Sequence, residues 1–243
     1  MLYKIVLKRG IYLMLVSFFF HATTCLAQTT SVSKYGVPVI NKSTDYQLTA
    51  RNDSAKKMVE LLKLIPGLVY DLRYATTNNF THLQLYVPAT HHTFLRLPAA
   101  RALAAVQQEL NAQGYGLKIF DAYRPYDVTV KFWELIKDER YVANPTRGSG
   151  HNRGLAVDLT IIDLKSHREL DMGTGFDNFS DTAHQGFTAL PPAVLEHRKL
   201  LTDVMEKHGF TKLDTEWWHF FWTNDRGYEV LDIPFDALKG SGQ

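Results

Sequence analysis

Cysteine is nearly missing from this 243-residue chain, which has Cys25 and no other. A fold built from the residues beyond it has no thiol and no disulfide, so a buried core or a metal ion must hold it together. A long apolar run is missing too. The best one, Ile11–Phe20 ("IYLMLVSFFF"), falls well short of the ~20 residues that a membrane-spanning helix needs. Lys4, Lys8 and Arg9 precede it and the small residues of "HATTCLAQTT" follow, the layout of a secretory signal peptide cleaved after Ala27. The Ala-Thr-Thr stretch ahead of Cys25 is a poor match to a lipoprotein acylation site, which favours simple cleavage. An excess of charge is the third absence. The chain has 27 Lys+Arg and 25 Asp+Glu, and removing the three bases of residues 1–27 leaves 24 against 25. Charge therefore gives no case for nucleic acid or for stable membrane association once the signal is gone. No internal repeat or low-complexity tract is present.

The full chain is 45% hydrophobic with four Trp, enough for one domain with a real core. Residues 28–57 are rich in Ser, Thr, Asn and Asp and read as an extended lead-in. A short helix is expected to end before Pro66-Gly67, with "LVYDLRY" following as a strand. Pro98 opens a helix with Ala99, Leu103, Val106 and Leu110 on one face, closed by Gly114. "GLKIFDAY" reads as a strand, "YDVTVKFWELIKDE" as a helix and "GLAVDLTIIDL" as a strand. A long helix then runs through Val194, Leu201, Val204 and Met205 to Gly209, and "EWWHFFW" closes the structured part. This order, without strict βαβ alternation, predicts a single α+β domain over 58–235, with a largely antiparallel central sheet flanked by helices and a flexible tail at 236–243.

One strand contains an anomaly. Leu155, Val157 and Leu159 point one way from "LAVDLT", so Asp158 points the other way, beside the small Ala156. A carboxylate buried there must be paired, hydrogen-bonded or bound to a cation. His151 lies seven residues earlier, ~23 Å away if the chain were extended, but Asn152-Arg153-Gly154 can turn it back. A His and an Asp so joined offer the nitrogen and oxygen that zinc accepts, and a structural His–Asp hydrogen bond satisfies the same pattern. Glu216 and His219 of "TEWWHFF" fall on opposite faces of a regular strand. They share a site only if Glu216 sits at the strand entrance, in a loop or bulge. Arg124, held extended by Pro125, stands at a strand end. Taken together, His151, Asp158 and His219 make three ligands with a fourth zinc position left open, as in a catalytic site. Glu216 is then a candidate base and Arg124 a candidate cation for developing negative charge.

The Ser149/His151/Gly154/Ala156/Asp158 pattern, followed by Glu216, Trp218 and His219, resembles the zinc D-alanyl-D-alanine dipeptidases, including the vancomycin-resistance type, within a superfamily of zinc D,D-peptidases. "DLRYATTNNF", "DAYRPYD" and "MGTGFDNF" extend the resemblance over roughly residues 66 to 235. It implies an α+β fold whose antiparallel sheet carries one Zn2+ on His151, Asp158 and His219. It also implies Glu216 as general base, Arg124 on the oxyanion, Ser149 near the substrate carboxylate, and Asp177 with Tyr74 on the substrate ammonium. The expected reaction is hydrolysis of a small D,D-dipeptide, D-Ala-D-Ala, outside the inner membrane in scavenging or turnover of cell-wall peptides. A peptidoglycan D,D-carboxypeptidase or endopeptidase of the same superfamily and a zinc-containing binding protein without catalysis are the alternatives. His184 has no place in this scheme.

Overall fold

The computed structural model describes residues 30–88, 90–223 and 226–239. The expected signal peptide with Cys25, and residues 240–243 of the expected tail, lie outside the described residues. The chain opens with β1 (Ser31–Val32), β2 (Pro38–Ile40) and α1 (Ser43–Asn52). Next come β3 (Met58–Glu60), α2 (Leu61–Leu64) and β4 (Val69–Tyr70). The middle of the chain supplies β5 (Phe94–Arg96), α3 (Leu97–Asn111), β6 (Tyr115–Asp121), α4 (Tyr126–Ile136) and β7 (Ala156–Asp163). It ends with α5 (Pro192–Lys207), β8 (Phe210–Leu213), β9 (Glu216–Trp222), β10 (Val230–Leu231) and α6 (Phe235–Lys239).

The five-stranded central sheet has the order β4-β6-β7-β9-β8; the β4–β6 pair is parallel and the other pairs are antiparallel. This is the single α+β domain that the sequence predicts. Leu103, Val106 and Leu110 of α3, with Leu201, Val204 and Met205 of α5, join Val157, Leu159 and Ile161 of β7 in the main core. Each such fully buried aliphatic side chain contributes about 1.5–3 kcal/mol. Ile40, Tyr46, Phe94, Phe132 and Phe235 belong to a second cluster.

Three segments depart from the sequence reading. The expected extended lead-in contains α1, and β2 pairs in parallel with β10, so this segment is built into the domain. Its apolar stripe is narrow (Tyr46, Thr49 and Ala50 are its buried residues), and the pairing with β10 is long-range, so local periodicity is weak. The expected strand "LVYDLRY" shrinks to β4, because the chain turns through a 3-10 segment at Arg73–Ala75. That turn sends the Tyr74 ring into contact with Tyr86 and Phe132, where it is 3% exposed. At the other end, residues 236–239 of the expected tail belong to α6.

Sheet register builds the row of polar groups that matters most. Asp121 of β6 stands opposite Asp158 of β7, and Asp158 stands opposite His219 of β9. Two carboxylates directly across a strand pair repel, so this register requires a neighbouring cation.

Candidate active site

Arg124 supplies that cation. Its Nε and Nη2 donate to Asp121 Oδ2 at 3.0 and 2.8 Å, and Nη2 lies 3.9 Å from Asp158 Oδ2. Burial raises the Asp121 carboxyl, and the Arg124 and His151 charges pull it back. Tyr86 Oη and the Ala122 N–H both donate to Asp121 Oδ1, at 2.5 and 2.9 Å, so the buried carboxylate is fully occupied. Asp121 stands three residues before Arg124. Its partner Tyr86 is 35 residues away, and no local pattern announces it.

His151 arrives on a tight turn. Gly154 N donates to His151 O at 3.1 Å and Leu155 N to Gly150 O at 2.9 Å, which folds the chain back into β7. Gly154 takes φ +69°, and a Cβ there would stand 2.6 Å from Met58 Cε and 3.3 Å from Arg96 N, so this turn needs glycine. Asn152, fully buried, stitches the turn to the Arg124 segment through Nδ2 bonds to Arg124 O (2.9 Å) and Thr129 Oγ1 (2.8 Å). Its Oδ1 accepts from Ser149 N at 2.9 Å, while Ser149 Oγ accepts from Asn152 N at 3.2 Å.

The ring of His151 points Nδ1 at Ala122 O, 2.7 Å away, so that nitrogen carries the proton and Nε2 faces the site. His151 Nε2 lies 3.4 Å from Asp158 Oδ2 and 3.3 Å from His219 Nδ1, and His219 Nδ1 lies 2.9 Å from Asp158 Oδ1. Donors ~2.0–2.2 Å from one tetrahedral centre stand about 3.3–3.6 Å apart. The spacing and the N, N, O donor set therefore fit a zinc ion, and the Nδ1–carbonyl bond is the usual orienting contact of a metal-binding histidine. Among the described residues this is the one His/Cys/Asp/Glu cluster with donors close enough to share an ion. Burial would raise the Asp158 carboxyl, but the His151 and His219 rings hold it well below the usual carboxylate range. Burial likewise opposes the His219 charge, and Asp158 outweighs it, raising the imidazole.

Glu216 opens β9, where the pairing with β8 jumps from Lys212↔Phe220 to Leu213↔Glu216. That irregularity is the break in alternation that the sequence argument required. It lets Glu216 Oε2 come within 3.9 Å of His219 Nδ1 although the residues are three apart. Burial pushes the Glu216 carboxyl up to about 7, against the pull of His219.

Across the cavity, Asp177 takes φ +61°. Its Oδ1 accepts from Tyr74 Oη at 3.0 Å and its Oδ2 from Phe80 N at 3.4 Å. No Lys, Arg or His among the described residues pairs with it, and burial pushes its carboxyl up to about 7. Tyr74, Arg124, Ser149, His151, Asp158, Asp177, Glu216 and His219 all line one cavity of about 270 Å³, with Phe80, Phe132, Tyr141, Phe179 and Trp218. That is smaller than the ~300–1,000 Å³ of sites for drug-sized ligands. His184 lies outside this lining, in a shallow surface depression with Asp181 and Phe187.

The arrangement combines three donors spaced to fit a metal ion, a buried carboxyl beside them, a buried guanidinium and, at the far wall, a carboxylate without a Lys, Arg or His partner among the described residues. A family model described as "D-ala-D-ala dipeptidase" (Peptidase_M15) matches residues 54–235. The chain is 35% identical over 186 residues to a D-alanyl-D-alanine dipeptidase of Escherichia coli K12, covering 76% of this chain and 95% of that protein. It is 28% identical over 191 residues to a D-alanyl-D-alanine dipeptidase of Enterococcus faecalis V583, covering 71% and 91%. A D-alanyl-D-alanine dipeptidase of Streptomyces coelicolor A3(2) is 30% identical over 180 residues, covering 65% and 87%.

Proposed function

The chain belongs to the D-alanyl-D-alanine dipeptidase family, and from that premise we propose that it is a zinc metallopeptidase that hydrolyses free D-Ala-D-Ala. The observation that carries the choice of a dipeptide is Asp177. A carboxylate with no cation of its own, in the cavity that holds the His–Asp–His cluster, is complementary to a free ammonium. A longer peptide would bring a neutral amide to that wall and leave the carboxylate unpaired, which penalises it. This counts against a carboxypeptidase or endopeptidase acting on stem peptides.

In this reading His151 Nε2, an Asp158 carboxylate oxygen and His219 Nδ1 would hold one zinc ion per chain, which would supply Lewis acidity to the scissile carbonyl and to the attacking water. Glu216 takes the proton of that water on a carboxylate oxygen and delivers it to the leaving nitrogen. Its burial keeps its basicity high enough for both transfers. Arg124, locked by two bonds to Asp121, offers its guanidinium to the oxygen on which negative charge develops, without reorganising. Tyr74 donates to Asp177 and keeps that carboxylate aimed at the ammonium. Ser149 lines the cavity beside the His151 turn, the place proposed for the substrate carboxylate. The basic and apolar pattern of residues 1–27 supports export, with the enzyme acting on dipeptide released outside the inner membrane. N-terminal sequencing of the exported protein tests the cleavage after Ala27.

The test of the activity is D-alanine release from D-Ala-D-Ala, from its N-acetyl derivative and from a stem pentapeptide, with Glu216→Ala beside the wild type. Zinc-dependent release from the free dipeptide alone, lost in the variant, is the expected result. Release from the pentapeptide at a similar rate would overturn the choice of substrate.

A further inference from the structure

Asp177 sits in the middle of a loop, residues 172–184, that leaves the sheet after the Ile162–Glu169 bridge and returns before α5. Its left-handed φ is strained for a residue with a side chain and persists only if the surroundings hold the loop in place. The interior of the loop is well held. Phe176 stacks on Phe120 at 4.9 Å, Phe179 meets Phe80 edge-on at 5.1 Å, and Trp217 Nε1 donates to Thr174 Oγ1 at 2.8 Å. The neck is different. Among the described residues no backbone hydrogen bond joins the two ends of the loop.

A single side chain joins them instead. Arg198 of α5 donates from Nε to Met172 O at 2.8 Å, from Nη1 to His184 O at 3.1 Å and from Nη2 to Thr182 O at 2.9 Å. One end of the loop is thus bound by Nε and the other by both terminal nitrogens. Arg198 is 5% exposed and lies on the buried face of α5 with Val194, Leu201 and Met205, where packing alone would favour an aliphatic residue. Its hydrogen-bond partners are all carbonyls. The planar fork spans two chain segments, which the point charge of a lysine cannot do. His184, otherwise without a role, takes part through its backbone oxygen.

We propose that Arg198 is a positioning residue for ammonium recognition: its guanidinium clasps both ends of the 172–184 loop and so holds the Asp177 carboxylate at the wall of the cavity. The proposal rests on the dipeptidase reading and adds to it the residue on which the recognition of a free amino terminus depends.

The experiment compares wild type, R198K, D177N and the double variant. It measures kcat and KM for D-Ala-D-Ala together with amide hydrogen exchange along the chain. R198K is expected to raise KM about tenfold or more with kcat within about threefold, the pattern of lost ground-state binding. Exchange should rise about tenfold or more within residues 172–184 and stay unchanged in β6, β7 and β9. Added to D177N, the Arg198 change should leave KM within about twofold, since the carboxylate it positions is already gone. An unchanged KM, a full further loss in the D177N background, or faster exchange spread through α5 and the core would each overturn the proposal. R198Q, which is neutral and keeps two donors, replaces R198K if the buried lysine prevents folding. A wild-type protein that leaves the dipeptide intact would refute the dipeptidase reading instead, and exchange within residues 172–184 would then decide alone whether Arg198 clasps the loop.

Discussion

Replacing Asp177 by Asn should make the protein more stable and a worse dipeptidase, and the size of the gain should depend on pH. The folded-state carboxyl is pushed from 3.8 up to about 7 because its burial is not matched by a cation. A carboxyl whose folded pKa is raised binds its proton more tightly in the native state. The resulting penalty is absent below the unfolded pKa, grows as pH rises from 3.8 and is complete once pH passes 7. A shift of that size corresponds to about 4 kcal/mol at most. The carboxylate borders an open cavity, and the Asn amide must re-partner with Tyr74 Oη and Phe80 N, so a net gain of about 1–3 kcal/mol at pH 8 is expected. At pH 5 most of that gain should vanish. Backbone strain does not confuse the comparison, because Asn tolerates a left-handed φ as well as Asp does.

Urea unfolding of metal-free wild type and D177N at pH 5 and pH 8 measures this directly, with the midpoint difference widening toward high pH. Turnover should fall in the same variant by about 10²–10³ in kcat/KM, the loss from removing one partner of a buried charge pair. A variant that is no more stable at pH 8 than at pH 5 would refute the reasoning. So would one that keeps full kcat/KM, because Asp177 would then meet no ammonium.

Three further outcomes follow from the same geometry. Glu216→Gln should lower kcat about 10²–10⁴-fold with KM and melting temperature little changed. In the wild type the acid limb of kcat/KM should lie below pH 7, because burial sets Glu216 at about 7 and a dication beside it lowers that value; kinetics over pH 4–8 check both points. Arg124→Ala should abolish turnover and also cost about 3–5 kcal/mol of stability by leaving buried Asp121 without its cation. Urea unfolding should find that second loss smaller at pH 5, where Asp121 can take up a proton. Chelation should end turnover and lower the melting temperature while the melt stays cooperative, because Asp158 already bonds His219 and faces His151; zinc should restore both at one ion per chain, read by calorimetry and metal analysis.

What the sequence makes legible here is what local spacing can carry. The α3 stripe, the β7 alternation around Asp158 and the Asn152-Arg153-Gly154 turn are all short-range patterns, and each is found where it was expected. The need for a break in alternation at Glu216 is legible too, although which strand pairing supplies it is not. Asp121 and Arg198 are less legible. Asp121 bonds Tyr86, 35 residues away, besides nearby Arg124, and Arg198 bonds backbone carbonyls, contacts that carry little local signature. Arg198 did leave a faint one, a cation on the apolar face of α5 at helical spacing from Val194, Leu201 and Met205. Asp177 and Tyr74 were reached only through resemblance, since nothing local separates Asp177 from an ordinary turn residue. The distinguishing fact is a missing cation, which only the fold reveals.

Charge explains why the site has this composition. Five carboxyl groups, Asp121, Glu139, Asp158, Asp177 and Glu216, border or support a cavity whose one guanidinium among the lining residues is that of Arg124, with Glu139 paired to Arg147 outside the lining. Asp121 is matched by Arg124, and Asp158 is held down by two imidazoles. Glu216 and Asp177 have no Lys or Arg partner among the described residues, and burial pushes both up to about 7. They stand on opposite sides of the reaction, one suited to taking a proton and one to meeting an ammonium. A dication on the His–Asp–His cluster and an ammonium at Asp177 would offset the negative charge on the two sides of the cavity. On the dipeptidase reading, the ligands that would complete this cavity are a divalent metal and a free amino terminus.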